Sequence, residues 1–179
     1  MKTFDNVLSD DTLKLVNSEL LDNLKKPNWR VSNFVWNNSL KVGTVGNCLI
    51  TDVSTELHDL IVRDITKYIP KFNYFNIIYH IWDKDSGVSL HDDIGHAAGI
   101  TIYLSKEWDI NYGGIFLYKP KNSKDGFYNA IAPKFNMMVY NDEFEMHMVT
   151  NISSLAPYPR ISLQIWGEDE PYPENDIWQ

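Results

Sequence analysis

Two stretches near the start of the chain, "SDDTLKLVNSELLDNLKK" and "STELHDLIVRDITKYIP", place apolar residues on one face of a helix. Ser9 or Asp10 can cap the first helix, Ser54 can cap the second, and Pro70 ends it. The predicted apolar faces are Leu13, Val16, Leu20, Leu21 and Leu24, and then Leu57, Leu60, Ile61, Ile65 and Tyr68. Both stretches are therefore predicted to be packing helices.

From about residue 72 the pattern changes to short runs rich in β-branched and aromatic residues. They are "FNYFNIIYHIW", "GITIYLS", "GGIFLYK", "NMMVYN", "MHMVTNI" and "RISLQIW". Gly, Asn, Asp or Pro separate most of them, which predicts many short strands and a sandwich or barrel. "RVSNFVW" and "CLITDV" predict one or two further strands between residues 27 and 53. The chain is thus predicted to be mainly β, with N-terminal helices that support a β core.

Length and charge narrow the protein class. With 179 residues, a single domain over 1–179 is expected, with helical support over about 1–70 and a β core over about 72–167. The net charge of −8 without a Lys/Arg run disfavours nucleic acid as a partner. A lone cysteine, Cys48, excludes an intramolecular disulfide framework, and no signal peptide or membrane-spanning run is present. A soluble cytoplasmic protein is expected.

The stretch "SLHDDIGHAAGITIYLSKEWD" contains the first candidate metal ligands. In an extended strand, residues two apart point to the same side, so His91 and Asp93 can address one point while Asp92 faces away. A further histidine from another strand would complete a facial triad of two histidines and one carboxylate, which is typical of non-haem Fe(II) oxygenases. An H-x-D triplet also occurs often by chance.

His147 is the predicted third ligand. It lies in "EFEMHMVTNI", an alternating strand that can pair across a barrel. His58 lies in a predicted helix, and His80 and His96 flank the motif but are poorly placed for a triad with it. An ordinary hydrogen-bonded histidine is the alternative interpretation of His147.

A basic strand follows the distal histidine. "PRISLQIW" places Arg160 at a strand start with Ser162 on the same face. A guanidinium binds carboxylates through two parallel hydrogen bonds and stays charged when buried, and a serine hydroxyl can add a donor. The pair is suited to the far carboxylate of a 2-oxo acid. A surface salt bridge at a strand end is the alternative.

Five pieces in order resemble the Fe(II)/2-oxoglutarate-dependent dioxygenase superfamily, and most closely its prolyl-hydroxylase-like branch. They are "HDD", "ITIYLSKEWDINYGGIFLY", "IAPKFNMMVYND", "MHMV" and "PRISLQIW", and the resemblance covers roughly residues 74 to 167. It implies a double-stranded β-helix, a cupin-like jelly roll. The loop between the distal histidine and the basic residue, "TNISSLAPY", is longer than in many relatives.

The resemblance also implies roles for individual residues. His91, Asp93 and His147 would hold Fe(II), and Arg160 with Ser162 would bind the C5 carboxylate of 2-oxoglutarate. Further residues expected at the pocket are Tyr103 toward the same carboxylate, Phe116 toward the co-substrate's methylenes, and Trp166. For Tyr103 and Trp166, a packed core residue is the alternative. The implied requirements are Fe(II), 2-oxoglutarate and O₂, with ascorbate as a stimulant.

Several functions stay open at this point. The resemblance favours hydroxylation of peptidyl proline, with a free amino acid or another small molecule as the competing substrate. The sequence also fits a non-catalytic jelly-roll module, or a metal-dependent cupin of another type such as an isomerase. Loops around 27–47 and 84–90 are expected to select the substrate. The oligomeric state, the acidic tail and the roles of Tyr79, His80 and His96 are left open.

Overall fold

The computed structural model describes residues 1–26, 29–31, 43–93, 95–142 and 144–170. Its helices are α1 (Asp10–Asn23), α2 (Thr55–Ile65) and a 3-10 turn (Ile110–Tyr112). The strands are β1 (Lys2–Asp5), β2 (Arg30–Val31), β3 (Thr44–Val45), β4 (Cys48–Asp52), β5 (Tyr74–Trp82), β6 (Gly87–His91), β7 (Ala98–Tyr103), β8 (Phe116–Tyr118), β9 (Asn129–Ile131), β10 (Met137–Asn141), β11 (His147–Val149) and β12 (Arg160–Glu168).

The strands form two antiparallel sheets within the described residues. The major sheet has the order β1-β10-β7-β12-β5-β4-β2, and the minor sheet has the order β3-β6-β11-β8-β9. Because consecutive strands are mostly not neighbours, the chain crosses repeatedly between the sheets. Over this part of the chain, the architecture is mainly β with two α-helices and is jelly-roll-like, as predicted.

The helix caps confirm the sequence prediction. The Ser9 side chain accepts a hydrogen bond from the Thr12 N–H, and the Ser54 side chain accepts one from the Leu57 N–H. The two helices are joined at Asp64, whose buried carboxylate accepts hydrogen bonds from the Ser9 N–H and the Thr12 hydroxyl. Burial raises the pKa of Asp64, but these bonds outweigh burial and hold it well below its usual value.

The predicted helical faces were too wide. Leu13, Val16 and Leu20 are buried in α1, but Leu21 and Leu24 are 59% and 53% exposed. In the second helix, Leu57, Ile61 and Ile65 are buried and Leu60 is half-buried, whereas Tyr68 lies beyond the helix end and is exposed. Only the residues nearest the sheet pack, because the sheet covers a narrow stripe of each helix.

Alternation along β7 and β12 creates two environments. Ile100, Ile102, Leu163 and Ile165 face α1 and α2 and join their buried residues in one apolar cluster. The intervening residues of β7 and β12 face the space between the two sheets, where a second cluster contains Tyr103, Phe116, Val139 and Val149. The candidate site lies on this inner side.

Other predicted elements differ in detail from the structure. "CLITDV" is confirmed as β4, whereas of "RVSNFVW" only Arg30–Val31 is described as a strand and residues 32–36 lie outside the described residues. The predicted loop over 84–90 is wrong in its second half, because β6 begins at Gly87. Of the predicted loop 27–47, residues 27–28 and 32–42 lie outside the described residues.

The sequence did not predict four of the described strands: β3, β6 and the short strands β1 and β9. β1 pairs with β10 at the edge of the major sheet, and β9 pairs with β8 at the edge of the minor sheet. Both are mostly exposed runs of three or four residues, so neither shows a buried pattern. In the part of the chain that is described, no helix is long and apolar enough to cross a membrane.

Candidate metal and co-substrate site

His91 and His147 are direct neighbours on two paired strands. β6 runs antiparallel to β11 with His91 opposite His147, and the two ring centres lie 4.3 Å apart. The strand that carries the predicted third ligand, β11, lies next to β6 in the minor sheet. Cross-strand neighbours point to the same face, so this register directs both imidazoles to one point.

Asp93 completes the cluster from outside a strand. His91 is the last residue of β6 and Asp93 follows the strand end, which corrects the expectation that both residues lie in one extended strand. The Asp93 Oδ2 atom nevertheless lies 3.5 Å from His147 Nε2. One potential ligand atom from each of the three residues lies within 4.8 Å of the others, so the group can hold a metal ion.

Backbone carbonyls orient both histidine rings. His91 Nδ1–H donates to the Ser89 carbonyl over 2.8 Å, and His147 Nδ1–H donates to the Glu145 carbonyl over 2.9 Å. Each Nε2 is therefore the lone-pair nitrogen, as in most metal-ligating histidines. Burial, followed by the proximity of His147, lowers the pKa of His91 and favours its neutral, ligating form.

Arg160 is a buried cation that lies close to two aromatic rings. It is the first residue of β12, as predicted, and is 2% exposed. Its Nη1–H donates to the Gly114 carbonyl over 3.0 Å, and its guanidinium carbon lies 5.6 Å from the Trp82 ring centre and 5.5 Å from that of Tyr103. No described carboxylate forms an ion pair with it. Burial lowers its pKa, which reflects the cost of keeping this charge out of water.

Three buried polar atoms near Arg160 have no hydrogen-bond partner among the described residues. They are Arg160 Nε, the Tyr103 hydroxyl oxygen and Ser162 Oγ. Tyr103 and Ser162 are cross-strand neighbours on β7 and β12. Burial, partly offset by the Arg160 charge, raises the pKa of Tyr103 to about 12, so its hydroxyl is a hydrogen-bond donor at neutral pH. This donor set is suited to a bound carboxylate.

The triad and Arg160 line one cavity of about 50 Å³. Phe116 also lines it and stacks on His147 with ring centres 4.9 Å apart, and Trp166 forms part of the wall. Six further lining residues were not predicted from the sequence: His80, Trp82, Val88, Thr101, Val149 and Gln164. Gln164 could have been found, because it continues the alternation Arg160, Ser162, Gln164, Trp166.

The remaining candidates lie elsewhere. Tyr79 is buried on the helix side of β5, where its hydroxyl donates to the Val16 carbonyl, so it does not face the cavity. His96 Nδ1 is hydrogen-bonded to the Glu168 carboxylate, and its ring lies 5.4 Å from the Trp166 ring centre. His96 is thus next to the cavity wall, and Asp92 is not among the lining residues.

The sequence matches no protein-family model and no curated protein. The fold resembles solved structures. A prolyl-4-hydroxylase from Pseudomonas putida has a TM-score of 0.67 and 13% identity, covering 95% of this chain and 92% of that chain. A prolyl hydroxylase from Trichoplax adhaerens, in complex with a hypoxia-inducible-factor degradation-domain peptide, has a TM-score of 0.68 and 15% identity over 94% and 83%.

A viral collagen prolyl hydroxylase from Paramecium bursaria chlorella virus-1, solved with 2-oxoglutarate, has a TM-score of 0.58 and 14% identity over 92% and 93%. The predicted resemblance to prolyl hydroxylases and related oxygenases is therefore confirmed at the level of the fold.

Proposed function

We propose that the chain is an Fe(II)- and 2-oxoglutarate-dependent dioxygenase, folded as one double-stranded β-helix domain over residues 1–179. One observation carries the proposal: the cluster of His91, Asp93 and His147 shares a cavity with the buried guanidinium of Arg160, which forms no ion pair with any described carboxylate. A binding module has no need for three convergent ligands beside a buried cation. Two nitrogens and one carboxylate oxygen fit ferrous iron and leave coordination positions open.

The proposed division of labour follows the two ends of the cavity. His91, Asp93 and His147 hold the ion, which when bound supplies the chemistry that couples decarboxylation of 2-oxoglutarate to hydroxylation of a C–H bond. Arg160 binds the C5 carboxylate, and the Tyr103 and Ser162 hydroxyls donate to the same group. Burial of all three removes competing water, and the ligand's negative charge offsets the cost of the buried guanidinium.

Phe116 and Trp166 are proposed to shape the space between these ends. Phe116 lies flat against His147, at 13° between ring planes, so it holds the imidazole and presents an apolar edge to the co-substrate. Trp166 and its neighbour His96 are proposed to contact the prime substrate. The retained Asp93 carboxylate favours hydroxylation over halogenation, since halogenating relatives lack it.

Peptidyl proline is the proposed prime substrate. It is supported by the fold's similarity to the Trichoplax enzyme, which was solved with a peptide. A free amino acid or other small molecule is the competing proposal. A succinate-release assay with Fe(II), 2-oxoglutarate and ascorbate separates them, with proline-containing peptides and free amino acids compared side by side. Mass spectrometry of the consumed substrate should show a gain of one oxygen atom.

The proposed chemistry is tested first without any prime substrate. Anaerobic addition of Fe(II) and 2-oxoglutarate to the wild-type protein should produce a weak visible charge-transfer band and raise the thermal midpoint. His147→Ala should give neither effect while its metal-free midpoint stays close to that of the wild type. A folded wild-type protein that binds neither ligand would contradict the proposal and favour a non-catalytic module.

A further inference from the structure

Gly99 lies in β7 directly against the Asp93 carboxylate. A Cβ atom at residue 99 would lie 2.1 Å from Asp93 Oδ2 and 3.0 Å from Asp93 Cγ. Real Cβ atoms do not approach other heavy atoms this closely. Oδ2 is also the atom that lies 3.5 Å from His147 Nε2. The oxygen that occupies the space above Gly99 is therefore the one on the ligand side of the cluster.

The backbone at this position does not itself require glycine. Gly99 has no positive φ, unlike Gly95, Gly113 and Gly114. It lies in a regular part of the major sheet, opposite Asn141 on β10 and Trp166 on β12. Glycine weakens a strand interior and often marks a place where another group approaches closely. The approaching group here is the Asp93 side chain.

The backbone around Asp93 cannot easily move away from β7. The His96 N–H donates to the Asp93 carbonyl over 3.1 Å, and the Ala97 N–H donates to the Gly167 carbonyl of β12 over 2.9 Å. These bonds fix the backbone on the C-terminal side of Asp93 to the major sheet. A methyl group at residue 99 would thus be accommodated by rotation of the Asp93 side chain, which removes Oδ2 from the cluster.

We propose that Gly99 is a positioning residue for the metal site: it leaves open the space that the Asp93 ligand oxygen occupies. The inference rests on the proposed metal-binding role of the triad. A side chain at residue 99 should lower the affinity for the metal and not the stability of the fold, because the atoms that it displaces are the carboxylate end of the Asp93 side chain. Glycine is then retained in a strand for the site alone.

The test compares Mn(II) affinity with folding stability. Mn(II) binding is followed by the electron paramagnetic resonance signal of the free ion, and thermal unfolding is measured without metal. Gly99→Ala should weaken Mn(II) binding about 10- to 100-fold, the range for residues that orient metal ligands. Its metal-free midpoint should equal or exceed that of the wild type, since alanine suits a strand better than glycine.

Gly167→Ala is the matched control on the neighbouring strand. Its Cβ would lie 2.4 Å from the Phe72 ring, away from the triad. This variant should lower the thermal midpoint and leave Mn(II) affinity unchanged. In an Asp93→Ala background, Gly99→Ala should cause no further loss of Mn(II) affinity, because the displaced carboxylate is already absent.

The possible outcomes distinguish a failure of the proposed metal site from a failure of the proposed role of Gly99. Wild-type protein that binds no Mn(II) contradicts the metal site itself. Wild-type Mn(II) affinity in Gly99→Ala overturns only the role of Gly99. A lower metal-free midpoint in that variant, or an additional loss of affinity in the Asp93→Ala background, also overturns it, because the effect would then not act through the Asp93 carboxylate.

Discussion

The two faces of β7 and β12 differ in the side chains that they bury: one face is apolar and the other is largely polar. Toward the helices, Ile100, Ile102, Leu163 and Ile165 are at most 1% exposed and pack against other apolar side chains. Toward the space between the sheets, the alternate positions carry Thr101, Tyr103, Arg160, Ser162 and Gln164. Of these, Thr101, Arg160 and Gln164 line the cavity. Arg160, Tyr103 and Ser162 are almost as deeply buried as the isoleucines, yet each contains a donor that has no hydrogen-bond partner among the described residues.

This difference shows where stability and ligand binding are located. Burial of apolar groups stabilises the fold, whereas burial of an unpaired donor costs about 1–3 kcal/mol and more when it is charged. The helix face therefore stabilises the fold. The cavity face lowers the stability of the ligand-free protein, because its buried donors become paired only when a ligand binds. Substitutions on the helix face should change the free energy of unfolding, and substitutions on the cavity face should change ligand affinity, although the residues alternate along the same strands.

The largest effect is expected on the helix face, from Leu163→Ala. Leu163 is fully buried, so its truncation leaves a cavity and should lower the free energy of unfolding by about 3–5 kcal/mol. Urea unfolding measures this loss. Isothermal titration with Mn(II) and 2-oxoglutarate in the cold, where the variant is folded, should show an unchanged affinity. Ser162→Ala, one residue away, is the control, and an equal destabilisation there would remove the distinction between the faces.

On the cavity face, Arg160→Met should act on the ligand. Loss of the charged hydrogen bonds to the C5 carboxylate should cost about 2–3 kcal/mol of binding, or roughly 30- to 140-fold in the 2-oxoglutarate dissociation constant. Stability should stay the same or rise, because methionine fills the volume without an unpaired buried charge.

The same titration and urea curves test Arg160→Met. Arg160→Lys, which retains a charge without the planar pair of donors, should bind 2-oxoglutarate with intermediate affinity. Wild-type affinity in the methionine variant would show that the guanidinium does not meet the co-substrate.

His80 lies on the cavity face and should make the stability of the protein depend on pH. Burial, followed by the charge of Arg160, lowers the pKa of His80 to about 3 from its ordinary value of 6.5. The folded protein keeps this ring neutral while the unfolded chain protonates below pH 6.5, so stability falls as the pH drops from there toward 3. At pH 5 the loss should be about 2 kcal/mol, from 1.5 pH units at 1.36 kcal/mol each.

His80→Gln should remove this part of the pH dependence. The difference in unfolding free energy between wild type and variant is measured at pH 8 and pH 5. At pH 8 the ring is neutral in both states and its ionisation contributes nothing, which makes that measurement the internal control. A difference that is the same at both pH values would mean that His80 is protonated in the folded protein.

Local patterns predicted the parts of this structure that depend on neighbours in sequence. The caps at Ser9 and Ser54 follow from residue type and spacing, and the alternation from Arg160 to Ser162 follows from strand geometry. The grouping of His91 and Asp93 with a distant histidine came from a motif together with a family resemblance. All of these features can be recognised without knowing which strands pair.

Features set by long-range pairing could not be predicted in this way. The register that places His91 opposite His147 comes from β6 and β11, which are separated by four intervening strands along the chain. The same limit explains why His80 was not assigned to the cavity. Its side of β5 depends on the pairing with Ser162, and both Tyr79 and His80 are buried, so no alternation of exposure marks the face.

The smallest effect is expected at a position where the sequence pattern was misleading. Leu21 fits the predicted apolar face of α1 but is 59% exposed, whereas Leu20 beside it is buried against the helix side of the sheet. Leu21→Gln should change the free energy of unfolding by less than about 0.5 kcal/mol, because glutamine forms helices nearly as well as leucine and no packing is lost. Leu20→Gln is the matched control and should cost several times more, since it buries an amide in an apolar cluster. Equal losses in urea unfolding would mean that another surface covers Leu21, and the stabilising face of the molecule would then extend beyond the stripe that contacts the sheet.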